Sequence, residues 1–489
     1  MVTRYPPPVA YDFDLVVLGG GPAGEKGAVQ AAYFKKKVAI IEREAEPGGA
    51  AVHTGTLPSK TLRETSLFLS GHQARDLYGV DVEIDRVKAP PRLLARTDAV
   101  RGLEVARIWW NLNRHDVTVL RGHARFVDPR TVEVAGRDGS TRRITAEYFL
   151  VATGSVPFRP AGIDFDDPDI EDSDTILRLS KLPRSLTVLG AGVIGCEYAT
   201  IFAAMGVEVQ IVEPRSAILP FLDPEIGERL SKAMERLGIH VLLGDGYETV
   251  RRDGARGIVT TLKSGKVLVS EQLLFAAGRN GNTRSLGLAD IGVQVVEPRG
   301  YITVDEDYRT SVPHVFAAGD CIGFPSLAST SMEQARVAVC RAFGFAYKKQ
   351  VSELLPYGIY TIPEVSCVGL TEDQVTERGQ TPIVGRAFYL NNARGKIIGD
   401  KDGVVKLVFD FESRKLLGCH CIGDRATELV HIGQAVIMLG GTAETFIEMV
   451  FNYPTLAEIF KYAAYDALGR WAGHRLTNLP PISVTTRSS

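Results

Sequence analysis

The sequence contains no long apolar run and almost no net charge, and these absences exclude several classes of protein. No stretch approaches the roughly 18 consecutive apolar residues of a membrane-spanning helix, and the first residues include no apolar segment with a small-residue cleavage site. We therefore expect neither a span nor a secretory signal. The 56 basic and 58 acidic residues leave a net charge of −2, which argues against a nucleic-acid partner. The 9 histidines form no recognisable metal motif, so we predict no metal site.

Cysteine is scarce, and none of it is arranged for redox chemistry. The 6 cysteines are Cys196, Cys321, Cys340, Cys367, Cys419 and Cys421. No two of them have the C-x-x-C or C-x4-C spacing of a redox-active pair. Cys419 and Cys421 would lie on one face of a strand, where the geometry for a mutual disulfide is poor. We therefore predict reduced, structural thiols and a cytoplasmic protein.

Tryptophan is rarer still, with 3 residues in the chain. Trp109 and Trp110 lie next to each other on a predicted amphipathic helix. Large aromatic side chains in this setting usually pack into the core, and we expect both to do so.

Glycine, in contrast, is abundant and is concentrated in two similar motifs. The chain has 489 residues and 49 glycines, and a chain of this length is expected to form two to four domains. In the first motif the apolar strand Leu15–Leu18 leads into a G-x-G-x-x-G sequence, a helix, and a second strand that ends in Glu42. Gly19 permits a tight turn, Gly21 lets the backbone approach a pyrophosphate, and Gly24 lets the helix pack on the strand. The pyrophosphate would lie at the helix N-terminus, and Glu42 would accept a hydrogen bond from a ribose hydroxyl.

The same pattern recurs in the middle of the chain. Gly190, Gly192 and Gly195 repeat the glycine positions, and Glu213 follows at the spacing that separates Gly19 from Glu42. One such motif is weak evidence for a nucleotide site, but two with matching strands, helix and acid are strong evidence. Glu213 favours NAD(H), whereas Arg215 could pair with the 2′-phosphate of NADP(H). The alternative is that Arg215 is merely exposed and that the site is specific for NAD(H).

The two copies differ where their helices end. The second copy has Gly206 at the position where a helix C-terminus needs a left-handed residue, and the first copy has Lys35 there. Either Lys35 adopts the left-handed conformation at some cost, or the first helix ends differently.

Further motifs carry a resemblance that covers nearly the whole chain. They are Val151–Gly154, Phe275–Arg279, Val315–Asp320 and Tyr360–Val365. Together with the two glycine motifs they resemble those of the class-I pyridine nucleotide-disulfide oxidoreductases, the family of glutathione reductase and lipoamide dehydrogenase. The resemblance implies an α/β protein with two Rossmann-like dinucleotide-binding domains, for FAD and NAD(P), and a C-terminal α+β dimerisation domain. The implied segments are an arm at 1–10, FAD-binding parts at 11–157 and 287–356, an NAD(P)-binding domain at 158–286, a dimerisation domain at 357–475 and a tail at 476–489.

The resemblance also assigns roles to individual residues. FAD would bind to the first glycine motif and NAD(H) or NADP(H) to the second. Lys60 would lie beside flavin N5, with Glu197 as its partner on the nicotinamide side, so that both tune the flavin. Other implied cofactor contacts are Arg43, Gly49, Ala51, Ala124, Thr153, Gly154, Gly278, Asp320, Leu327 and Ala328. The family also implies at least a homodimer.

Two departures from the family remove its disulfide chemistry. The flavin-side segment of the family reads GG-x-C-x4-C-x-PSK, but Ala51 and Thr56 hold the two cysteine positions here. Dithiol–disulfide exchange is therefore chemically excluded at this site. The histidine base of the family is replaced by Tyr453, although Glu458 remains. A tyrosine with a pKa near 10 is a poor base at neutral pH, and we expect Tyr453 to pack at the dimer interface.

Without a disulfide, electrons that reach FAD must leave by the nicotinamide side or to an acceptor at the flavin. The segments His53–Lys60, Gly323–Ala328, His431–Ala435 and Phe451–Thr455 are similar to those of the soluble pyridine nucleotide transhydrogenases. That branch implies ping-pong hydride transfer between NADPH and NAD+ through flavin N5. An NAD(P)H:quinone or diaphorase-type reductase is the main alternative, with His53 as a possible ligand to the acceptor. A non-catalytic FAD- and NAD-binding protein is disfavoured by the retention of Lys60 and Glu197.

Overall fold

The computed structural model describes residues 10–72, 77–80 and 82–473. The predicted tail at 476–489 and, apart from Ala10, the predicted N-terminal arm lie outside the described residues. Helices α1 to α12 of the described part span, in chain order, Pro22–Tyr33, Gly49–His53, Thr56–Ser70, Ala89–Asn113, Val193–Ala204, Pro224–Arg236, Ala328–Phe343, Glu372–Glu377, Ala393–Ile398, Ala426–Met438, Ala443–Glu448 and Ile459–Trp471. In this part of the chain, none of the helices combines the length and apolar character needed to cross a bilayer.

The strands are numbered β1 to β24 in the same order. They span Phe13–Leu18, Val38–Glu42, Thr118–Arg121, His123–Asp128, Thr131–Ala135, Thr141–Val151, Ser155–Pro157, Ile170–Asp172, Ser185–Leu189, Glu208–Glu213, His240–Leu243, Tyr247–Arg252, Ile258–Leu262, Val267–Ser270, Gln272–Phe275, Arg279–Gly281, Val295–Val296, Tyr301–Ile302, Val315–Ala317, Tyr357–Ile359, Val365–Gly369, Pro382–Phe388, Val404–Asp410 and Leu416–Ile422. The chain divides into two compact units. The first comprises the described residues of 1–69, 84–195 and 246–353, and the second those of 70–83, 196–245 and 354–489.

The first unit contains the sheet that carries the first glycine motif. Strands β3, β2, β1, β6 and β19 pair in parallel, and β6 continues through antiparallel pairs with β5 and β4. Nearly every residue of β1 and β2 is buried, because apolar clusters cover both faces of the sheet. The glycine motif therefore follows a strand that is fixed from both sides.

The first unit also contains the strand before the second glycine motif. Strand β9 pairs in parallel with β15, which pairs in parallel with β8. Strands β12, β13 and β14 form an antiparallel meander, and β7 pairs with β16. The ends of β9 and β15 thus meet at one edge, as they do for β1 and β6 at the first motif.

The second unit is built around an antiparallel sheet in the order β20-β21-β24-β23-β22. Helices α10 and α12 contribute to the same apolar core as β23 and β24. A Cβ at Gly385 of β22 would lie 1.9 Å from the carbonyl oxygen of Ala463, so α12 approaches the strand where only glycine fits. This unit also contains the parallel pair β10 and β11.

The prediction of free, structural cysteines is confirmed, but the prediction of core packing is wrong for Trp110. All 6 cysteines are free and buried, and the sulfur atoms of Cys419 and Cys421 are 3.8 Å apart. The Trp110 side chain is 60% exposed and lies under the guanidinium of Arg114, 4.4 Å from the ring centroid. Trp109 donates a hydrogen bond from its indole nitrogen to Glu46. The helix was predicted correctly, but a cation–π contact rather than core packing accommodates Trp110.

Candidate functional site

The first glycine motif brings backbone segments too close together for any side chain. Gly19 has φ of 100°, and a Cβ there would lie 2.5 Å from the carbonyl oxygen of Ala152. A Cβ at Gly24 would lie 1.8 Å from the carbonyl oxygen of Gly19. These two glycines are therefore required by the fold itself, as the sequence pattern predicts.

Glu42 lies next to this turn and is nearly buried. Its Oε2 accepts a hydrogen bond from the backbone nitrogen of Gly20 at 2.8 Å, and its Oε1 accepts one from that of Glu44 at 2.9 Å. The carboxylate is thereby oriented at the end of β2. The Arg43 guanidinium pairs with Glu44 and lies 3.4 Å from the side-chain oxygen of Asn282, whose amide nitrogen donates to the Thr153 carbonyl at 3.2 Å.

The residues around the motif fit a bound dinucleotide. A Cβ at Gly21 would contact only the Cα of Gly49, at 3.6 Å, so the two glycine backbones lie side by side. Thr153 Oγ1 is buried without a hydrogen-bond partner among the described residues, which is the situation expected of a group whose partner belongs to a ligand. Gly154 has φ of 68° and open space beside its Cα. Ala124, in β4, is buried and pairs with Val134.

The predicted ribityl aspartate lies at the end of β19. Asp320 begins a short 3-10 turn, Asp320–Ile322, and its Oδ2 accepts a hydrogen bond from the Ser155 hydroxyl at 2.9 Å. Leu327 and Ala328 form the start of α7, where the Leu327 carbonyl accepts from the Ser331 nitrogen at 2.8 Å. These residues therefore have ordered backbones at the positions that the family pattern assigns to the cofactor.

The flavin-side segment forms two consecutive helices without sulfur. Ala51 lies in α2, and Thr56 begins α3 with an exposed side chain. His53 Nε2 lies 3.1 Å from the Pro47 carbonyl oxygen, and because a carbonyl only accepts, Nε2 carries the proton. Lys60 lies on α3, with its Nζ 3.3 Å from the Ser59 hydroxyl.

Three of the buried cysteines are unsuited to replace the missing pair. Burial raises the pKa of the Cys321 thiol to about 12, and it does the same for Cys367. Burial also raises the pKa of Cys196 far above its ordinary value. Thiols in this state are protonated at neutral pH and are neither nucleophiles nor relay groups.

The second glycine motif repeats the close contacts of the first. Gly190 has φ of 108°, with a Cβ position 2.9 Å from the Ala276 carbonyl oxygen, and a Cβ at Gly195 would lie 1.9 Å from the Gly190 carbonyl oxygen. A Cβ at Gly192 would meet nothing within 4 Å. Gly278, after β15, has φ of 118°, and a Cβ there would lie 3.2 Å from the Arg299 guanidinium.

The remaining predicted residues belong to the second unit. Glu197 is 3% exposed, and its Oε1 accepts a hydrogen bond from the Tyr360 backbone nitrogen at 2.9 Å. Glu213 is also 3% exposed. The Arg215 guanidinium donates to both of its carboxylate oxygens, at 2.7 and 2.9 Å, and the Arg215 backbone nitrogen donates to Oε1 at 3.0 Å. Arg215 is thus not merely exposed, since it forms a two-pronged ion pair with the acid.

Sequence reasoning overlooked a polar network beside Asp320. It contains Arg279, the last residue of the Phe275–Arg279 motif, Ser155, which directly follows another motif, and Asp174, which the sequence does not single out at all. A serine directly after the Val151–Gly154 motif was the one available signal. The pairing of β7 with β16 is what brings Ser155 and Arg279 together.

Two glycine turns of the same geometry, each after a buried parallel strand, define a protein that binds two dinucleotides. With the aspartate at the second FAD motif, the class is that of a two-nucleotide flavoprotein oxidoreductase.

Comparison with known families and proteins identifies the class. Residues 13–340 match the pyridine nucleotide-disulphide oxidoreductase family, and residues 355–464 match the dimerisation domain of that family. The chain therefore belongs to this family. It is an FAD-dependent oxidoreductase that binds NAD(P)H, and its dimerisation domain makes it a homodimer.

Among named relatives, the chain is 46% identical to a soluble pyridine nucleotide transhydrogenase of Mycobacterium bovis, over 94% of this chain and 98% of the relative. It is 41% identical to the enzyme of that name from Pseudomonas aeruginosa, over 94% and 99% of the two chains. Among solved structures it is similar to LpdA from Mycobacterium tuberculosis, with 26% identity, a TM-score of 0.85 and coverage of 92% and 98%. It is also similar to the HOCl-induced flavoprotein disulfide reductase RclA from Escherichia coli, with 26% identity, a TM-score of 0.82 and coverage of 91% and 98%.

Proposed function

We propose that the protein transfers hydride from NADPH to NAD+ in a ping-pong cycle, without a disulfide relay. The observation that carries the proposal is the flavin-side segment, where Ala51 and Thr56 occupy the helix positions of the family's cysteines. The burial of the 6 cysteines outside this segment supports it, since burial raises the pKa of the Cys321 and Cys367 thiols and keeps them protonated at neutral pH. The similarity to named soluble pyridine nucleotide transhydrogenases supports NAD+ as the acceptor.

Bound FAD supplies the two-electron chemistry, and the protein supplies binding and alignment. Gly21 and Gly49 would admit the pyrophosphate, with Glu42 on a ribose, while Thr153 and Asp320 would bond other parts of FAD. Lys60 and Glu197 keep their predicted roles beside the flavin and the nicotinamide. We also retain as proposals the domain boundaries predicted from sequence and a cytoplasmic location, which the free, buried thiols favour.

Dual nucleotide use follows from the charge pattern at Glu213. A lone buried carboxylate would repel the 2′-phosphate of NADP(H). The two-pronged bond from Arg215 neutralises that carboxylate and places a guanidinium, whose side chain is 52% exposed, where a 2′-phosphate could reach it. The same pair would present carboxylate oxygens to the ribose hydroxyl of NAD(H).

The quinone reductase is the alternative that most needs testing. His53 was its candidate acceptor ligand, but the Nε2 proton of His53 is already donated to Pro47. This bond favours a role for His53 in closing the loop before α2.

The experiment is anaerobic reduction of thio-NAD+ by NADPH with purified, FAD-loaded protein, with menadione and lipoamide as parallel acceptors. We expect rapid thio-NAD+ reduction with parallel double-reciprocal plots, slower menadione turnover and no lipoamide reduction. The matched variant is Ala51→Cys, which restores one sulfur without a partner and should leave transhydrogenation within about twofold. Fast menadione reduction with negligible thio-NAD+ turnover would instead establish a quinone reductase, and lipoamide reduction would refute the absence of a relay.

A further inference from the structure

A continuous polar network surrounds the predicted ribityl aspartate, and none of its other members has a role in the hydride-transfer proposal. Ser155 is at its centre, 9% exposed. The Ser155 hydroxyl donates to Asp320 Oδ2 at 2.9 Å and accepts from Arg279 Nε at 2.8 Å. The Ser155 hydroxyl therefore bridges the Arg279 guanidinium and the Asp320 carboxylate.

Arg279 is held on several sides. Its Nη2 donates to the Ser155 carbonyl oxygen at 2.9 Å, and its Nη1 donates to the Ser173 hydroxyl at 3.0 Å. Its own carbonyl oxygen accepts from the Tyr301 hydroxyl at 2.8 Å. A planar guanidinium bonded along its whole edge has little rotational freedom, so the position of Ser155 is fixed as well.

The network continues toward the flavin-side segment. Asp174 lies 3.5 Å from Arg279 Nη1, and the side chain of Thr54, the residue that follows α2, is close enough to lower the pKa of Asp174. Burial raises the pKa of Asp174, and the neighbouring Arg279 opposes that rise. Polar contacts thus run from Asp174 through Arg279 and Ser155 to Asp320, with Thr54 beside Asp174, entirely within the first unit.

We propose that Ser155 and Arg279 are positioning residues that orient the Asp320 carboxylate for FAD and tie it to the segment after α2. A hydroxyl polarised by a cation is a stronger hydrogen-bond donor than an isolated one. Asp320 is only half-buried, so without Ser155 the Asp320 side chain would be free to turn toward water. Retention of FAD should then depend on the Ser155 hydroxyl and on the forked geometry of Arg279, whichever acceptor the reduced enzyme serves.

The experiment measures FAD release from the holoenzyme by the gain in flavin fluorescence, with unfolding followed separately by circular dichroism. Ser155→Ala should release FAD about tenfold faster, the order expected for one charge-assisted hydrogen bond. Ser155→Thr keeps the hydroxyl and should stay within about twofold of the natural protein. Arg279→Lys keeps the charge but loses the fork, so it should release FAD faster than the threonine variant.

Ser270→Ala is the matched control. Ser270 is a buried serine of the same unit whose hydroxyl bonds Thr187 and the Gln272 carbonyl, both at 2.8 Å. Its loss should lower the unfolding temperature without accelerating FAD release below that temperature. If Ser155→Ala and Ser270→Ala behave alike, with FAD release following unfolding in both, the positioning role is refuted. Because no nicotinamide nucleotide is present, this outcome is independent of the transhydrogenation test.

Discussion

The two nucleotide motifs share their backbone geometry and differ in the charge two residues after the acid. In both, the third glycine packs against the first, with Cβ positions 1.8 Å from Gly19 O and 1.9 Å from Gly190 O. In both, the backbone nitrogen two residues after the acid donates to its Oε1, from Glu44 at 2.9 Å and from Arg215 at 3.0 Å. The side chains at that shared position have opposite signs.

The features that bind any dinucleotide thus differ from the side chain that selects among dinucleotides. Close backbone contacts and a helix N-terminus recognise the pyrophosphate common to FAD, NAD and NADP. We expect the residue two positions after the acid to decide which ribose is tolerated. Glu44 would repel a 2′-phosphate, which FAD does not have, whereas Arg215 would attract the one that distinguishes NADPH.

The largest effect should come from removing the shared backbone contact. Gly24→Ala and Gly195→Ala each place a methyl carbon less than 2 Å from a carbonyl oxygen of the preceding turn, so helix and strand must separate. We expect each to cost at least about 3 kcal/mol, measured as a fall in apparent Tm or a loss of soluble protein. Equal severity in the two copies would confirm that they are structurally equivalent.

Gly21→Ala and Gly192→Ala are the controls for this pair. A Cβ at either position has room in the protein itself, so both variants should fold with unchanged Tm of the FAD-free chain. Gly21→Ala should nevertheless bind FAD poorly, and Gly192→Ala should bind nicotinamide nucleotide poorly. In each variant the added methyl group occupies the place of the pyrophosphate. A fold defect in these variants as large as in the first pair would contradict the assignment.

A smaller and more selective effect is expected from Arg215→Glu, which gives the second motif the acidic side chain that Glu44 provides in the first. The KM for NADPH should rise about 100-fold, since charged hydrogen bonds contribute about 1.5–3 kcal/mol. The KM for NADH should change several-fold at most. Steady-state kinetics with each nucleotide provides the measurement, and Lys232→Glu, at an exposed cation of the same unit, controls for general charge. Equal losses for both nucleotides would show that Arg215 does not select the ribose.

The smallest effect concerns the ends of the two helices. Lys35 has φ of 63° and Gly206 has φ of 77°, and the residue after each donates back to the carbonyl five positions earlier. Since the left-handed conformation costs an ordinary residue about 1 kcal/mol, Lys35→Gly should raise the apparent Tm slightly. Gly206→Lys should lower it by a similar amount. A thermal melt that shows no change in either variant would indicate that the strain is relieved elsewhere.

Residue patterns alone were sufficient for most of the fold and for the positions of the cofactor motifs, because strand, glycine turn and helix are encoded locally. The sequence pattern left two conformations open for Lys35. The tertiary structure selects the left-handed one, because the chain must reverse direction between the end of α1 and the start of β2 within a few residues. The helix pattern wrongly placed Trp110 in the core, since the pattern alone does not show that this ring is exposed and covered by Arg114.

The sequence by itself determined that two dinucleotides bind and that Ala51 and Thr56 stand at the two cysteine positions of the family pattern, because glycine spacing and residue identity are local facts. Only the tertiary structure decided that Arg215 bonds both oxygens of Glu213, and that Ser155 joins Arg279 to Asp320. Side-chain contacts of this kind depend on rotamers, and on residues far apart in the chain that the paired strands bring within 3 Å of one another.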